Sequence, residues 1–95
     1  MIATTSTVKI QNGKAGEFET LVAGLTAKVR ANEPGNLLYQ LTRSRADADT
    51  YRFLEFYKDQ DALEHHNQTE YYKEMMTKAG ALLAAPPNLE MFDAV

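Results

Sequence analysis

The chain has 95 residues, a net charge of −3 and no cysteine. This length fits one domain, and we expect residues 1–95 to fold as a single unit. An acidic balance without any basic run argues against binding to nucleic acid or to an anionic membrane surface. No apolar stretch approaches the ~20 residues that span a bilayer, and the N-terminal MIATTSTVKI lacks the features of a signal peptide. Without cysteine there are no disulfides and no thiolate chemistry, so we expect a cytoplasmic location.

The first half of the chain predicts a strand, a helix and a second strand. Residues 2–10 are rich in β-branched side chains, which favour a strand. Residues 15–31 are predicted to form an amphipathic helix, because apolar residues recur at helical spacing: Phe18, Leu21, Val22, Leu25 and Val29. This helix should end at Glu33-Pro34-Gly35, since proline disfavours a helical conformation in the residue before it. Residues 36–44 are predicted to form the second strand.

The second half predicts a strand, a broken helix and a last strand. A polar loop at residues 45–50 leads into a strand at residues 51–58. Asp59 is the predicted N-cap of the following helix. Asn67-Gln68-Thr69 predicts a break in that helix, with Thr69 capping the segment that follows. Pro86-Pro87 ends the segment, and residues 88–95 are predicted to form the last strand.

The order βαββαβ predicts an α+β, ferredoxin-like fold, in which a four-stranded antiparallel sheet carries both helices on one face. The third strand is apolar on both sides, with Tyr51, Phe53 and Tyr57 on one and Leu54 and Phe56 on the other. Two helices can cover only one side of the sheet. The second side is therefore expected to pack against a second copy of the chain, which would give a homodimeric α+β barrel.

Several runs of the sequence carry a family resemblance: EPGNLLYQLTRS, YRFLEFYKDQDALEHH and TEYYKEM. Their matching features are the Glu-Pro-Gly before the second strand, Glu55 followed by the aromatic Tyr57, the Asp59–Asp61 cluster, and Ala62–Leu63 leading to His66. On these features nearly the whole chain resembles the antibiotic-biosynthesis monooxygenase (ABM) family of dimeric α+β barrels. That family contains cofactor-independent oxygenases of quinols and anthrones, haem-degrading enzymes, and an isomerase of phosphorylated autoinducer-2.

The chain departs from two branches of the family. The oxygenases often carry tryptophan where this chain has Tyr57, and the chain contains no tryptophan. Haem-degrading relatives combine a helical histidine with a tryptophan and with an asparagine on the first strand. Here the matching strand position is Ser6, so only His66 is retained and the resemblance argues against haem degradation. The isomerase resembles this chain around Tyr57-Lys58-Asp59, which keeps that alternative open.

His66 is the first candidate catalytic residue. It lies four residues after Ala62 and three after Leu63, which places it on the apolar stripe of the predicted helix. An imidazole, with an ordinary pKa of ~6.5, can take or give a proton at neutral pH. His65 is expected to point outward into solvent. The alternative interpretation is that His66 is a buried core residue without a chemical role.

Glu55 is the second candidate catalytic residue. It shares its strand face with two aromatic residues, and a carboxylate in such surroundings is costly unless it is paired or protonated. If this face of the strand meets the second helix, Glu55 and His66 share one pocket, and Glu55 could orient the imidazole. The alternative is a plain ion pair between Glu55 and either Arg43 or Arg52.

Four further residues are candidates for substrate binding: Ser6, Phe53, Tyr57 and Tyr72. The aromatic members could hold a flat ring, as could Tyr39 and Tyr51, although such residues also commonly fill cores and interfaces. No glycine spacing of a phosphate or dinucleotide loop is present. The two adjacent histidines point to different helix faces, which argues against a shared metal. We therefore expect neither a cofactor nor a metal.

The expected function is that of a cofactor-independent monooxygenase oxidising a small aromatic quinol or anthrone with dioxygen. His66 would take a proton from the substrate, whose anion then reduces dioxygen. Two alternatives remain. The first is an isomerase of a small phosphorylated carbonyl compound, of the autoinducer-2 processing type. The second is a dimer that binds a ligand without catalysis.

Overall fold

The computed structural model describes residues 1–95 and contains four strands and three helices. In chain order they are β1 (Ile2–Lys9), α1 (Ala15–Asn32), β2 (Asn36–Arg43), β3 (Thr50–Tyr57), α2 (Gln60–Gln68), α3 (Glu70–Gly80) and β4 (Asn88–Asp93). The predicted order is confirmed, including the break in the second helix. The bounds differ slightly at the ends. Ile10 lies outside β1 and forms a single bridge to Leu83, and β4 stops at Asp93 rather than at residue 95.

The four strands form one antiparallel sheet in the order β2-β3-β1-β4. This confirms the predicted ferredoxin-like sheet. In β1, Thr4 lies opposite Glu55 of β3 and opposite Met91 of β4. Because directly opposed residues share a face, these three side chains lie on the same side of the sheet. The face of β3 that carries Glu55 therefore continues through β1 to β4, which lies at the edge of the sheet.

The core lies between α1, α3 and the inward face of β3. The buried side chains of α1 are Phe18, Val22, Leu25 and Val29. The ring of Phe18 packs 5.0 Å from that of Tyr51 and 6.2 Å from that of Phe53, measured between centroids. Tyr51, Phe53 and Tyr57 are all buried, so this face of β3, which the sequence left undecided, is the one that meets the helices.

The two halves of the broken helix begin in different ways. Asp59 caps α2 as predicted, because its carboxylate accepts a hydrogen bond of 2.9 Å from the Ala62 backbone N–H. Thr69 is the N-cap residue of α3, as predicted, but its side chain makes no capping hydrogen bond. Its hydroxyl instead donates to the carbonyl oxygen of His66 at 2.8 Å. The last carbonyls of α2 have no partner within the helix, and Thr69 satisfies one of them.

The other face of the sheet is also apolar, as predicted. Leu54 is half-buried there, while Phe56 and Phe92 are 40% and 48% exposed. Both phenylalanines lie opposite Ala3 of the central strand β1, one on each side. These side chains form a patch on the sheet face turned away from the helices. None of the three helices is long and apolar enough to cross a membrane.

Candidate active site

A cavity of about 310 Å³ lies between the inward face of β1, β3 and β4 and the helices α2 and α3. This volume is at the lower end of the ~300–1,000 Å³ typical of small-molecule sites. Most of its wall is apolar, including Phe53 of β3, Met75 of α3, and Leu89 and Met91 of β4. Six side chains bring polar atoms to the wall: Thr4, Ser6, Glu55, His66, Asn67 and Tyr72. No lysine or arginine lines the cavity.

His66 lies in the last turn of α2 and points inward, as its spacing predicted. It is 1% exposed and lines the cavity, whereas His65 is exposed. Its ring packs among three tyrosines, with centroid distances of 4.5 Å to Tyr72, 5.4 Å to Tyr39 and 5.5 Å to Tyr57. The aromatic rings hold the imidazole on three sides and shield it from water.

A carboxylate that the sequence analysis did not single out holds the imidazole. Glu33, 4% exposed, places its two carboxylate oxygens 3.0 and 3.2 Å from Nδ1 of His66. The hydroxyl of Tyr71 donates to the same carboxylate. The expectation that Glu55 orients the imidazole is therefore wrong. Glu33 at the end of α1 fills that role because the chain turns there into β2 directly beside α2.

The ring nitrogens of His66 have different surroundings. Both of its hydrogen bonds are made by Nδ1, and no fully buried side-chain nitrogen or oxygen lacks a hydrogen-bond partner. Since His66 lines the cavity, Nε2 is the nitrogen that remains available to a molecule bound there. An imidazole so placed can accept a proton from a ligand in the cavity.

Glu55 lies in the cavity wall beside His66, so the structure brings the two predicted catalytic residues into one pocket. Its side chain is almost buried, at 9% exposed. The hydroxyl of Tyr57, two residues along the strand and on the same face, donates to Glu55 at 2.6 Å. Burial raises the pKa of Glu55 above the usual glutamate value, against opposing effects of the Tyr57 hydroxyl and of His66.

The alternative of an ion pair at Glu55 is wrong. Arg52 lies three residues away on the same strand, and side chains alternate between the faces of a strand, so Arg52 points to the opposite side of the sheet. It donates to the hydroxyl of Thr7. Arg43 pairs with Glu19 at 3.4 Å. No group of three histidine, aspartate or glutamate side chains is placed to hold a metal ion.

The four residues predicted to bind substrate fall into two groups. Ser6, Phe53 and Tyr72 line the cavity. Tyr57 does not: it is fully buried behind the wall, where it contacts Glu55 through its hydroxyl and His66 through its ring. Burial raises the pKa of both Tyr57 and Tyr72, so their hydroxyls stay protonated; the hydrogen of Tyr57 is already donated to Glu55.

Known proteins are similar to this chain in sequence and in fold. Residues 1–78 match the family model described as "Antibiotic biosynthesis monooxygenase". The chain is 33% identical over 86 residues to the Bacillus subtilis (strain 168) protein named "Putative monooxygenase YcnE", covering 90% of each chain. It is 28% identical to the uncharacterized protein sll1783 of Synechocystis, where 96% of this chain matches 61% of the relative.

The crystal structure of a "putative antibiotic biosynthesis monooxygenase" from Caulobacter crescentus CB15 superposes with a TM-score of 0.96. The two sequences are 47% identical over 99% of this chain and 89% of that one. The family match covers β1 through most of α3, which includes Glu33, Glu55 and His66. The chain therefore belongs to the antibiotic biosynthesis monooxygenase family.

Proposed function

We propose that the protein is a cofactor-independent monooxygenase that oxidises a small aromatic quinol- or anthrone-type substrate with dioxygen. Family membership supports the reaction class. The observation that carries the proposal is the position of His66. Its Nδ1 is held by Glu33, while the ring lines an apolar cavity of about 310 Å³. An imidazole in this position could accept a proton from a ligand of two or three fused rings, which supports the proposal.

The reaction begins when the substrate loses a proton. Nε2 of His66 takes it from a quinol hydroxyl or from the acidic carbon of an anthrone. The resulting anion gives one electron to dioxygen, and the radical pair combines to form a carbon–oxygen bond. The peroxide then breaks at its O–O bond, which leaves one oxygen atom in the substrate as a carbonyl. The other leaves as water with two hydrogens from the substrate, so the substrate supplies every electron.

The other wall residues have distinct roles in this scheme. Phe53 and Tyr72 line the cavity and would hold the aromatic ring between them. Burial raises the pKa of Glu55, and in its protonated form this carboxyl group would donate a hydrogen bond to an oxyanion. Tyr57 acts through Glu55, whose orientation its hydroxyl fixes. Ser6 adds a hydroxyl that could bind a substrate oxygen.

The cavity supports an aromatic substrate better than the phosphorylated one of the isomerase alternative. A phosphate dianion buried among apolar side chains needs cations or several hydrogen-bond donors. The wall contains no lysine or arginine, and it contains the carboxyl group of Glu55. A neutral quinol or anthrone carries no charge into this site. The isomerase and the non-catalytic dimer remain as outcomes of the test below.

The test is to mix the protein with a dihydroxynaphthalene or an anthrone without oxygen, and then to add oxygen and follow its consumption. Wild type and His65→Ala should consume oxygen well above the rate of substrate alone, with dialysed protein and with a chelator present. His66→Ala should fall close to the substrate blank. Oxygen uptake no faster than the blank across a panel of quinols and anthrones would contradict the proposal. Conversion of a phosphorylated ketone would then identify an isomerase, and binding without conversion a non-catalytic dimer.

A further inference from the structure

Glu33 is a buried carboxylate at the C-terminal end of a helix, an unfavourable position for a negative charge. Both it and His66 have side chains only 2% exposed. Its polar contacts are with Nδ1 of His66 and the hydroxyl of Tyr71, and neither lysine nor arginine reaches it. A buried carboxylate is costly unless donors satisfy its oxygens. It also ends α1, where the partial negative charge of the helix terminus opposes it. Stability of the helix does not explain this residue.

The two donors around Glu33 determine where the proton of the imidazole lies. An ionised carboxylate only accepts hydrogen bonds. Tyr71 supplies its hydroxyl hydrogen to Oε2, so the bond from His66 must come from an Nδ1–H. In a neutral imidazole only one ring nitrogen carries hydrogen, and the bond made by one nitrogen sets the state of the other. Nε2 is then left with a lone pair facing the cavity.

We propose that Glu33, anchored by Tyr71, is the positioning residue that fixes His66 in the Nδ1–H tautomer, so that the neutral ring offers its Nε2 lone pair to the cavity. The effect of this arrangement on turnover rests on the proposed function, whereas the tautomer itself does not. Glu33 does not contact the cavity; it acts through His66. Its negative charge also lies beside the ring in which positive charge develops when Nε2 takes a proton.

Tyr71 determines which atoms of residue 33 can accept a hydrogen bond from His66. It lies on α3, whereas Glu33 follows the last residue of α1 and His66 lies in the last turn of α2, so three helices converge on one carboxylate. Burial raises the pKa of Tyr71 to about 12, with the hydrogen bond to Glu33 adding to it. Its hydroxyl therefore stays protonated and donates throughout the neutral range. With this hydroxyl in place, an amide at position 33 would tend to turn its oxygen to Tyr71 and its NH₂ group to Nδ1, which reverses the tautomer.

A purely structural pair would also need an Nδ1–H against the carboxylate, so the tautomer tests the hydrogen bond, and the kcat of Glu33 variants separates the two interpretations. The chain has two histidines, and His65→Ala leaves only His66. Long-range proton–nitrogen correlation spectra of this variant, labelled at histidine nitrogens, distinguish the two tautomers directly. They should be recorded well above the ordinary imidazole pKa of ~6.5. We expect a pyrrole-type Nδ1 and a pyridine-type Nε2. A pyrrole-type Nε2 would overturn the inference.

Variants then test the role of Glu33. Glu33→Gln, made in the same background, should lose the Nδ1–H signature and lower kcat by about 10²–10⁴-fold with little change in KM. Glu64→Gln removes an exposed carboxyl from α2 and should change neither. Tyr71→Phe should lower kcat less than Glu33→Gln does. A folded Glu33→Gln protein with an unchanged tautomer and unchanged kcat would contradict the inference.

Failure of this inference can be told apart from failure of the proposed function. An Nδ1–H ring in a protein that consumes no oxygen would contradict the oxygenase and leave the positioning role of Glu33 intact. An Nε2–H ring in an active oxygenase would do the reverse. If Glu33→Gln does not fold, the spectrum of the protein with native Glu33 still decides the question.

Discussion

A β-carbon placed on Gly35 would lie 2.6 Å from the β-carbon of Ala62, closer than two such atoms approach in proteins. The turn before β2 is thus pressed directly against α2, and Lys58 strengthens the contact by donating its backbone N–H to the Gly35 carbonyl at 2.9 Å. His66 lies four residues after Ala62, on the same helix face. This close approach is what brings Glu33, two residues before Gly35, within hydrogen-bond distance of the imidazole.

Gly35→Ala should therefore destabilise the fold and impair the site. Forcing a methyl group into a packed contact costs about 1–3 kcal/mol, and urea unfolding measures the loss. The matched control is Gly24→Ala in α1, where a β-carbon meets nothing within 4 Å. That substitution should stabilise the protein by up to ~1 kcal/mol, because alanine has the higher helix propensity.

The same contact predicts a coupling between the two positions. Ala62→Gly removes the β-carbon that the new methyl group would strike, at a cost of ~1 kcal/mol in helix propensity. Gly35→Ala should therefore destabilise less when introduced into Ala62→Gly than when introduced into the wild type. Strictly additive changes in unfolding free energy would contradict the close-contact account.

The two adjacent histidines should differ sharply in their importance for activity. His66→Ala is expected to lower turnover by about 10²–10⁴-fold, because it removes the proposed general base. His65→Ala should have little effect, since that side chain lies in solvent. Both variants are compared at equal folded fraction, measured by circular dichroism. Similar losses in the two, or full activity in His66→Ala, would favour a core role for His66.

The raised pKa of Glu55 predicts how stability depends on pH. Between the ordinary value of 4.5 and the raised value, the folded protein binds more protons at this group than the unfolded chain does. The free energy of unfolding should therefore fall as pH rises through that window, by at most ~1.4 kcal/mol per pH unit from one group. Glu55→Gln keeps an acceptor for the Tyr57 hydroxyl and should remove this decline.

Glu74 provides a control of opposite sign. Its pKa is lowered by the hydrogen bond from Lys78, so its contribution is present above the ordinary pKa and lost as pH falls. Glu74→Gln should therefore lower stability at neutral pH and converge with wild type in acid. Denaturant unfolding across the pH range measures both variants. A Glu55→Gln protein whose pH dependence matches that of wild type would contradict the placement of Glu55 in a desolvated wall.

We propose that a second copy of the chain covers the sheet face that carries Phe56 and Phe92. An obligate interface buries at least ~2,000 Å² in total, or about 1,000 Å² from each protomer, which is roughly a sixth of the 5889 Å² surface of one chain. Light scattering after size exclusion, at low micromolar concentration, should give twice the chain mass of 10.6 kDa. Phe56→Asp should shift the protein toward monomer or unfold it. A folded wild-type monomer would contradict the dimeric barrel.

The parts of the fold that follow from local pattern could be predicted from the sequence. Alternation along residues 51–58 sorted the side chains of β3 into two faces, and an aspartate before an apolar helix identified the cap at Asp59. The spacing of His66 from Ala62 and Leu63 was enough to predict that its side chain points inward. Each of these depends on residues close together in the chain.

Contacts between distant segments could not be predicted. Glu33 and His66 are separated by 33 positions, and their meeting depends on how α2 lies against the turn before β2. One signal was present: a carboxylate at the C-terminal end of a helix is electrostatically disfavoured and needs a partner. Alternation also placed Tyr57 on the face of Phe53 and Glu55, but which face turns inward, and the position of Tyr57 behind Glu55 rather than in the cavity wall, depend on where α2 packs.

The most direct test of the proposed oxygenase is a reaction in isotope-labelled dioxygen, with an anthrone or a quinol as substrate and mass spectrometry of the product. We expect one labelled oxygen atom in the product of the wild-type protein, one molecule of dioxygen consumed per product, and close to none of this product above background with His66→Ala. Product oxygen derived from water, or no protein-dependent product from any quinol or anthrone tested, would contradict the proposed oxygenase.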